Sequence, residues 1–241
     1  MPKAKPATAD GANENEFDAE IVYPFDVDEA LEHLGSVDKK MGKLIMRVGP
    51  FRMKLQQITT SPFESLARSI VYQQLTGKAA ATIYGRVQEI FGSSGTLPHP
   101  KKILQTPDET LRAAGLSRAK TAAFKDLALK QMEGLVPTLD ELHEMTDEEI
   151  IEQLIAIRGI GRWTVEMMLI FKLGRPDVLP IHDYGVRKGF ATIYRKERDD
   201  LPTPKELADF GRRWAPFRSV ASWYLWRANE LPAPKRSARH Q

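Results

Sequence analysis

Five stretches of this chain carry the same signature of a helix start, a Ser or Thr followed three residues later by Glu: Ser61 with Glu64, Thr106 with Glu109, Thr138 with Glu141, Thr146 with Glu149, and Thr203 with Glu206. At that spacing the hydroxyl accepts an orphan amide of the first turn and the Glu reaches back to the cap's own amide. Pro62, Pro107 and Pro204 follow three of these caps directly, where a fixed φ suits the first helical residue. Helical spacing of apolar residues follows: Phe63, Leu66, Ala67, Ile70, Val71 and Gln74 share one face, as do Ile150, Ile151, Leu154 and Ile155, and then Leu207, Phe210 and Trp214. Gly92, Gly115 and Gly134 read as stops. Strand patterning is weak, and the fold class read from these signals is all-α. Residues 44–58 are ambiguous and are assigned to helix with a break at Gly49-Pro50.

The chain has 241 residues, of which 42% are apolar. That is enough for a sizeable core in one unit or two small lobes. The absence of cysteine excludes disulfides, thiolate zinc sites, iron–sulfur clusters and cysteine nucleophiles. No run reaches the ~20 apolar residues a membrane helix needs, and the N-terminal segment lacks the apolar stretch of a secretory signal; we expect no membrane association. Residues 1–20 read as a disordered tail and residues 232–241, with Lys235, Arg236 and Arg239, as a basic tail. The formal net charge is only +3, so charge has to be read locally.

Residues 154–170 read LIAIRGIGRWTVEMMLI. A helix ends, Gly159-Ile160-Gly161 turns, and a second apolar helix begins near Arg162. Two glycines can take conformations closed to other residues and leave their amides uncovered. Amides at a helix start bind anions, and Thr164 can add a hydroxyl. A glycine-capped corner between helices fits the same letters.

The flanking residues carry the distinction further. Residues 154–170, together with the Gly/Pro-rich run Leu173 to Asp183, resemble the signature of the helix-hairpin-helix DNA glycosylase superfamily, named for that hairpin, a Gly/Pro loop and an Asp. SPFESLARSIVYQQLTGKAA (61–80) resembles its opening helix, and GLSRAKTAAFKDLA (115–128) its middle helix. PFRSVASWYLW (216–226) is similar to the closing helix of the alkylpurine branch, the 3-methyladenine DNA glycosylase II group. The likeness runs from about residue 25 to 230.

This resemblance implies a monofunctional glycosylase that flips alkylated purines such as 3-methyladenine and 7-methylguanine out of double-stranded DNA and excises them by hydrolysis. Bifunctional members carry a nucleophilic Lys where this chain has Trp163. Asp183 matches the catalytic Asp; read alone, it is equally an N-cap for a helix from Tyr184 to about Tyr194. Its carboxylate would stabilise the positive charge that develops on the deoxyribose and orient water. Asp177 is the rival carboxylate, read as a turn former. Trp163 and Trp226 match pocket aromatics that would hold a cationic purine by cation–π stacking, with Tyr72, Met167 and His182 as further pocket candidates. Leu75, with Gln74 beside it, matches the wedge that fills the vacated stack; Leu75 also suits a helix-end core position.

The same likeness assigns phosphate binding to Gly159, Gly161, Arg162 and Thr164. It gives the carbonyls of Ile155, Ile157 and Ile160 a structural Na+ or K+, no other cofactor being required. Arg158, Arg162, Lys172, Arg175, Arg187 and Lys188 cluster around the motif and suggest a phosphate-facing patch. The expected architecture is two helical lobes with the active site in the cleft between them. A barrel lobe would span 62–182 with the hairpin at 154–170, and a discontinuous terminal lobe would combine 21–61 with 183–231. The expected state is an intracellular monomer, in the cytoplasm and nucleoid of a bacterium or the nucleus of a eukaryote. The alternatives are a non-catalytic helix-hairpin-helix DNA-binding module, a bifunctional glycosylase/lyase for oxidised bases and a helical interaction scaffold.

Overall fold

The structure, a computed structural model, describes residues 22–56, 58, 61–92, 96–195 and 200–232. The helices are α1 (Val27–Val37), α2 (Lys39–Val48), α3 (Pro62–Tyr72), α4 (Gly77–Ile90), α5 (Pro100–Gln105), α6 (Asp108–Ala113), α7 (Arg118–Met132), α8 (Leu139–Glu144), α9 (Asp147–Leu154), α10 (Arg162–Phe171), α11 (Tyr184–Tyr194), α12 (Pro204–Gly211) and α13 (Arg218–Ala228). No strand occurs among the described residues. The fold is all-α. Both tails assigned from the sequence fall outside the described residues, apart from Pro232.

Helix starts obey the side-chain chemistry. Thr138, Thr146 and Thr203 form full capping boxes with Glu141, Glu149 and Glu206. Such a cap is worth about 1 kcal/mol. At Ser61 the hydroxyl accepts the Glu64 amide at 3.2 Å, but the Glu64 carboxylate is taken by the Leu97 amide at 2.6 Å. Thr106 does not start a helix. It ends α5, its hydroxyl donates to the Lys102 carbonyl at 2.8 Å, and α6 begins at Asp108 behind Pro107.

The segment after α2 also departs from expectation. The helix stops at Val48, and residues 51–56 run without helix. Phe51 and Met53 are buried while Arg52 and Lys54 are exposed, a period of two that belongs to extended backbone. Two hydrogen bonds pin the run: Tyr23 Oη to the Met53 carbonyl at 2.9 Å, and the Gln56 amide to the Phe171 carbonyl at 2.7 Å.

Helix packing falls into two sets. In one, α3 lies on α4 and α7, and α5 and α6 lie on α7. In the other, α1 packs on α2, and α13 packs on both α2 and α11. The second set is knotted by Asp38, whose buried carboxylate accepts the amides of Lys40 and Met41, the Tyr194 hydroxyl at 2.8 Å and the Trp214 indole at 3.1 Å. The crossing of α11 and α13 is a backbone-to-backbone approach: a Cβ placed on Gly189 would lie 1.9 Å from the Leu225 carbonyl oxygen. Helix α10 packs on α9 and reaches the second set through its side chains. Phe171 at its end stacks on Trp226 of α13 at 5.4 Å.

Candidate active site

The hairpin joins α9 to α10. Gly159 sits at φ +80°, a conformation that favours glycine, and a Cβ there would come within 2.9 Å of Ala123 Cβ on α7. Gly161 differs from expectation. Its φ of −97° is open to any residue, and a Cβ there would meet nothing. What it provides is an uncovered helix start, since no side chain caps α10.

Asp183 caps α11 and at the same time takes side chains of α10 and α13. Its Oδ1 accepts the Val186 amide and the Trp226 indole, and its Oδ2 accepts the Trp163 indole, all three at 2.8 Å. Both readings of this residue therefore hold at once. Three N–H groups from α11, α13 and α10 fix the carboxylate, and a Cβ on Gly185 would press against Trp226 at 2.7 Å. The rival Asp177 is consumed by the fold: Arg218 donates to it through Nε at 2.7 Å and Nη2 at 2.8 Å, which staples the Gly/Pro loop to α13.

Trp163, whose indole N–H Asp183 accepts, walls a cleft of about 510 Å³ lined also by aromatic Tyr72 and Phe171, by Met167 and Met168, and by polar groups including Gln73 and Gln74; Asp183 itself is not among the lining residues. Trp163 is 49% exposed on its wall. Trp226 and His182 are not among the lining residues. Trp226 is turned to Phe171 and Asp183, so it positions the carboxylate instead of offering a face to the cleft; His182 is exposed. Gln74 lines the rim and Leu75 follows it, 39% exposed and therefore not a core residue. Gln74 is the one non-glycine residue at positive φ, +56°, among those described.

The charge cluster read from the sequence resolves differently. Arg162 forms a fork on Glu148 at 2.7 and 2.9 Å and also reaches Glu166 at 3.3 Å. Arg175 donates to the Leu142 and Met145 carbonyls, Arg187 to Pro202, and Lys172 to Ser65. These four cations brace the scaffold. Of the hairpin groups assigned to phosphate, the Arg162 guanidinium is turned into the fold, while the helix start behind Gly161 carries no side-chain cap. Ile157 and Ile160 are buried and Ile155 exposed; the Ile157 carbonyl accepts the Ile160 amide at 3.0 Å.

Several residues that shape this region escaped the sequence reading: Phe171 and Gln73 on the cleft wall, Lys120 behind the α3 end, and Glu166. Glu166 is 3% exposed and its Oε2 has no hydrogen-bond partner. Burial pushes its pKa from 4.5 up to about 7, opposed by Arg162 and reinforced by the charges of Asp183 and Glu148. Because the folded value lies above the unfolded one, the protonated form contributes stability fully below pH 4.5, and this contribution is lost as pH rises through about 7. Glu166→Gln is therefore expected to raise the midpoint of thermal unfolding relative to wild type at pH 8, with the gain vanishing near pH 5. An equal shift at both pH values would show that Glu166 does not titrate in this window.

A DNA-3-methyladenine glycosylase 1 from Schizosaccharomyces pombe is 37% identical over 211 residues, covering 86% of this chain and 91% of that protein. The S. pombe 3-methyladenine DNA glycosylase solved in complex with abasic DNA superposes with a TM-score of 0.72 at 37% identity, over 86% of this chain and all of that one. A DNA-3-methyladenine glycosidase from Bacillus halodurans superposes with a TM-score of 0.74 at 35% identity, over 86% and 92% of the two chains. Residues 67–216, from α3 past the hairpin and Asp183 to the threshold of α13, match the HhH-GPD superfamily of base excision DNA repair proteins, and the chain belongs to that family.

Proposed function

We propose that this chain is a monofunctional DNA glycosylase that flips alkylated purines out of double-stranded DNA and hydrolyses their N-glycosidic bonds. The observation that carries this reading is Asp183, a carboxylate fixed by three N–H donors, one of them the indole of Trp163 on the cleft wall. The relatives named as 3-methyladenine glycosylases give the substrate class.

In this mechanism the flipped base enters the cleft and lies against Trp163, Tyr72 and Phe171, with Met167 closing the wall. Alkylation at N3 or N7 makes the purine cationic. An aromatic face then favours it by about 0.5–2 kcal/mol over a neutral base, and the cation is already a good leaving group. The bond lengthens, positive charge builds on the sugar, and Asp183 stabilises that charge and orients the attacking water. Trp163 offers no amine, so no Schiff base forms and the strand is left intact at an abasic site.

Leu75 fills the vacated stack with Gln74 beside it. The helix start at Gly161, Arg162 and Thr164, next to the Gly159 turn, grips a phosphate. The carbonyls of Ile155, Ile157 and Ile160 are hard oxygen donors spread from the end of α9 through the hairpin. Ile157 keeps a second lone pair beyond its bond to Ile160, so this donor set fits Na+ or K+, which would add positive charge against that phosphate. The protein acts as a monomer on chromosomal DNA inside the cell. No described helix is long and apolar enough to cross a membrane.

The test is mass spectrometry of bases freed from methylated duplex DNA, with borohydride added in a parallel reaction. Release of 7-methylguanine and 3-methyladenine without a trapped DNA–protein adduct is expected. A trapped adduct would establish the lyase reading, and salt-sensitive DNA binding with no base release would reduce the protein to a non-catalytic grip.

A further inference from the structure

The turn Gln73-Gln74-Leu75 at the end of α3 is held by two ties from outside its own helix. The Lys120 ammonium, on the first turn of α7, donates to the carbonyls of Val71 at 2.6 Å and Gln73 at 2.7 Å. The Gln73 side-chain amide donates to the carbonyl of Gly159 at 2.8 Å. Both acceptors of Lys120 lie at the α3 C-terminus, where carbonyls lack helical partners and a cation is favoured. Directly after the tied Gln73, Gln74 occupies φ +56°, a left-handed conformation that costs a non-glycine residue on the order of 1 kcal/mol and persists where its surroundings over-determine it.

Lys120 is itself fixed. Its amide donates to the Ser117 hydroxyl that caps α7, and α7 packs directly on α3. Burial draws its ammonium below the ordinary lysine range. The hairpin end of the second tie is equally constrained, since Gly159 is wedged against Ala123, three residues along α7 from Lys120. One helix therefore braces both the turn that carries Leu75 and the turn that faces the phosphate.

We propose that Lys120 is a positioning residue for strand invasion: by clamping the Val71 and Gln73 carbonyls it holds Gln74 in its left-handed conformation, so that Leu75 is presented at a fixed distance from the phosphate grip at Gly159. This rests on the wedge assignment made above and adds what aims the wedge. Leu75 follows a non-glycine αL residue; with the clamp removed, Gln74 relaxes to the commoner backbone region and the Leu75 side chain swings with it. Without the clamp the turn keeps the hydrogen bond from the Leu75 amide to the Tyr72 carbonyl, long at 3.3 Å, and the Gln73 side-chain amide, whose three free torsions restrain it less than a cation bridging two carbonyls.

A double-mutant cycle on duplex excision tests it. Lys120→Met and Leu75→Ala should each lower single-turnover release of 7-methylguanine about tenfold, and the double variant should be no slower than either, because the two act as one unit. Lys120→Arg, which can still bridge two carbonyls, should recover most of the rate. 2-Aminopurine placed opposite an abasic-site analogue should lose its binding-induced fluorescence change in Lys120→Met as it does in Leu75→Ala, while the affinity for undamaged duplex holds. Multiplicative losses in the double variant, or a fluorescence change retained in Lys120→Met, would overturn the proposal and leave Lys120 a simple helix brace. If Leu75→Ala excises at the wild-type rate, the wedge assignment itself fails, whatever Lys120 does.

Discussion

Asp183→Asn is expected to lower the excision rate on the order of 10³-fold, about 4 kcal/mol of transition-state stabilisation, while the protein stays folded and bound to DNA. The substitution separates the cap this side chain forms from the catalytic charge proposed for it. Asn is as good an N-cap as Asp, so its oxygen can still accept the Val186 amide and the Trp226 indole that now converge on Oδ1. The other atom becomes an NH2 donor facing the Trp163 indole, itself a donor at 2.8 Å from Oδ2. Trp163 loses its partner, but it is half exposed and water can replace the lost acceptor, so the stability loss should be about 1 kcal/mol. The charge has no such substitute, since an amide dipole opposes a developing oxocarbenium only weakly. Single-turnover release of methylated bases, measured beside affinity for the same duplex, reads both effects. A variant within tenfold of wild type would remove Asp183 from the chemistry. A variant that no longer binds would show that the cap, and not the charge, had been tested.

Asp183 was legible because everything that marks it is local: a Gly/Pro-rich run, an Asp, and an apolar helix with the right period. The same holds for the capping boxes at Thr138, Thr146 and Thr203, each closed within four residues. What the sequence hid lies in long-range partners. Arg162 looks like a phosphate ligand until Glu148, fourteen residues upstream, is seen to occupy its fork. Trp226 is identifiable as an active-site aromatic, yet whether it offers a face or an N–H to the site depends on the packing of α13 against α10 and α11. Thr106 carries the full letters of a cap, but the preceding turn takes its hydroxyl first. Only residues 51–56 had a readable signal that was missed, the alternation of Phe51 and Met53 with Arg52 and Lys54, which argues for extended chain and against a resumed helix.

Gly189→Ala is expected to be the most destabilising single-methyl addition in the terminal set of helices, and its effect should reach the active site. Glycine inside a helix usually weakens it, so alanine there normally stabilises by about 0.5–1 kcal/mol. Gly85, in the interior of α4, has open space where its Cβ would go, and Gly85→Ala should show that ordinary gain. At Gly189 the sign reverses. The new Cβ would lie 1.9 Å from the Leu225 carbonyl oxygen and 2.6 Å from its carbon, and a backbone on the far side of a helix crossing cannot rotate away as a side chain can. The helices α11 and α13 must move apart, opening a core that includes Val186, Phe190, Ala221 and Leu225; overpacking of this kind typically costs about 3 kcal/mol or more when backbone is the obstacle. The same displacement pulls Trp226, on α13, from Asp183, at the start of α11, so excision by the folded fraction should fall along with stability. Urea denaturation of both glycine variants, with excision assayed well below the unfolding transition, separates these consequences. If Gly189→Ala unfolds within about 1 kcal/mol of Gly85→Ala, the two helices do not approach as closely as the crossing requires, and the fixed relation between the indole and the carboxylate, on which the chemistry of this cleft depends, is lost with it.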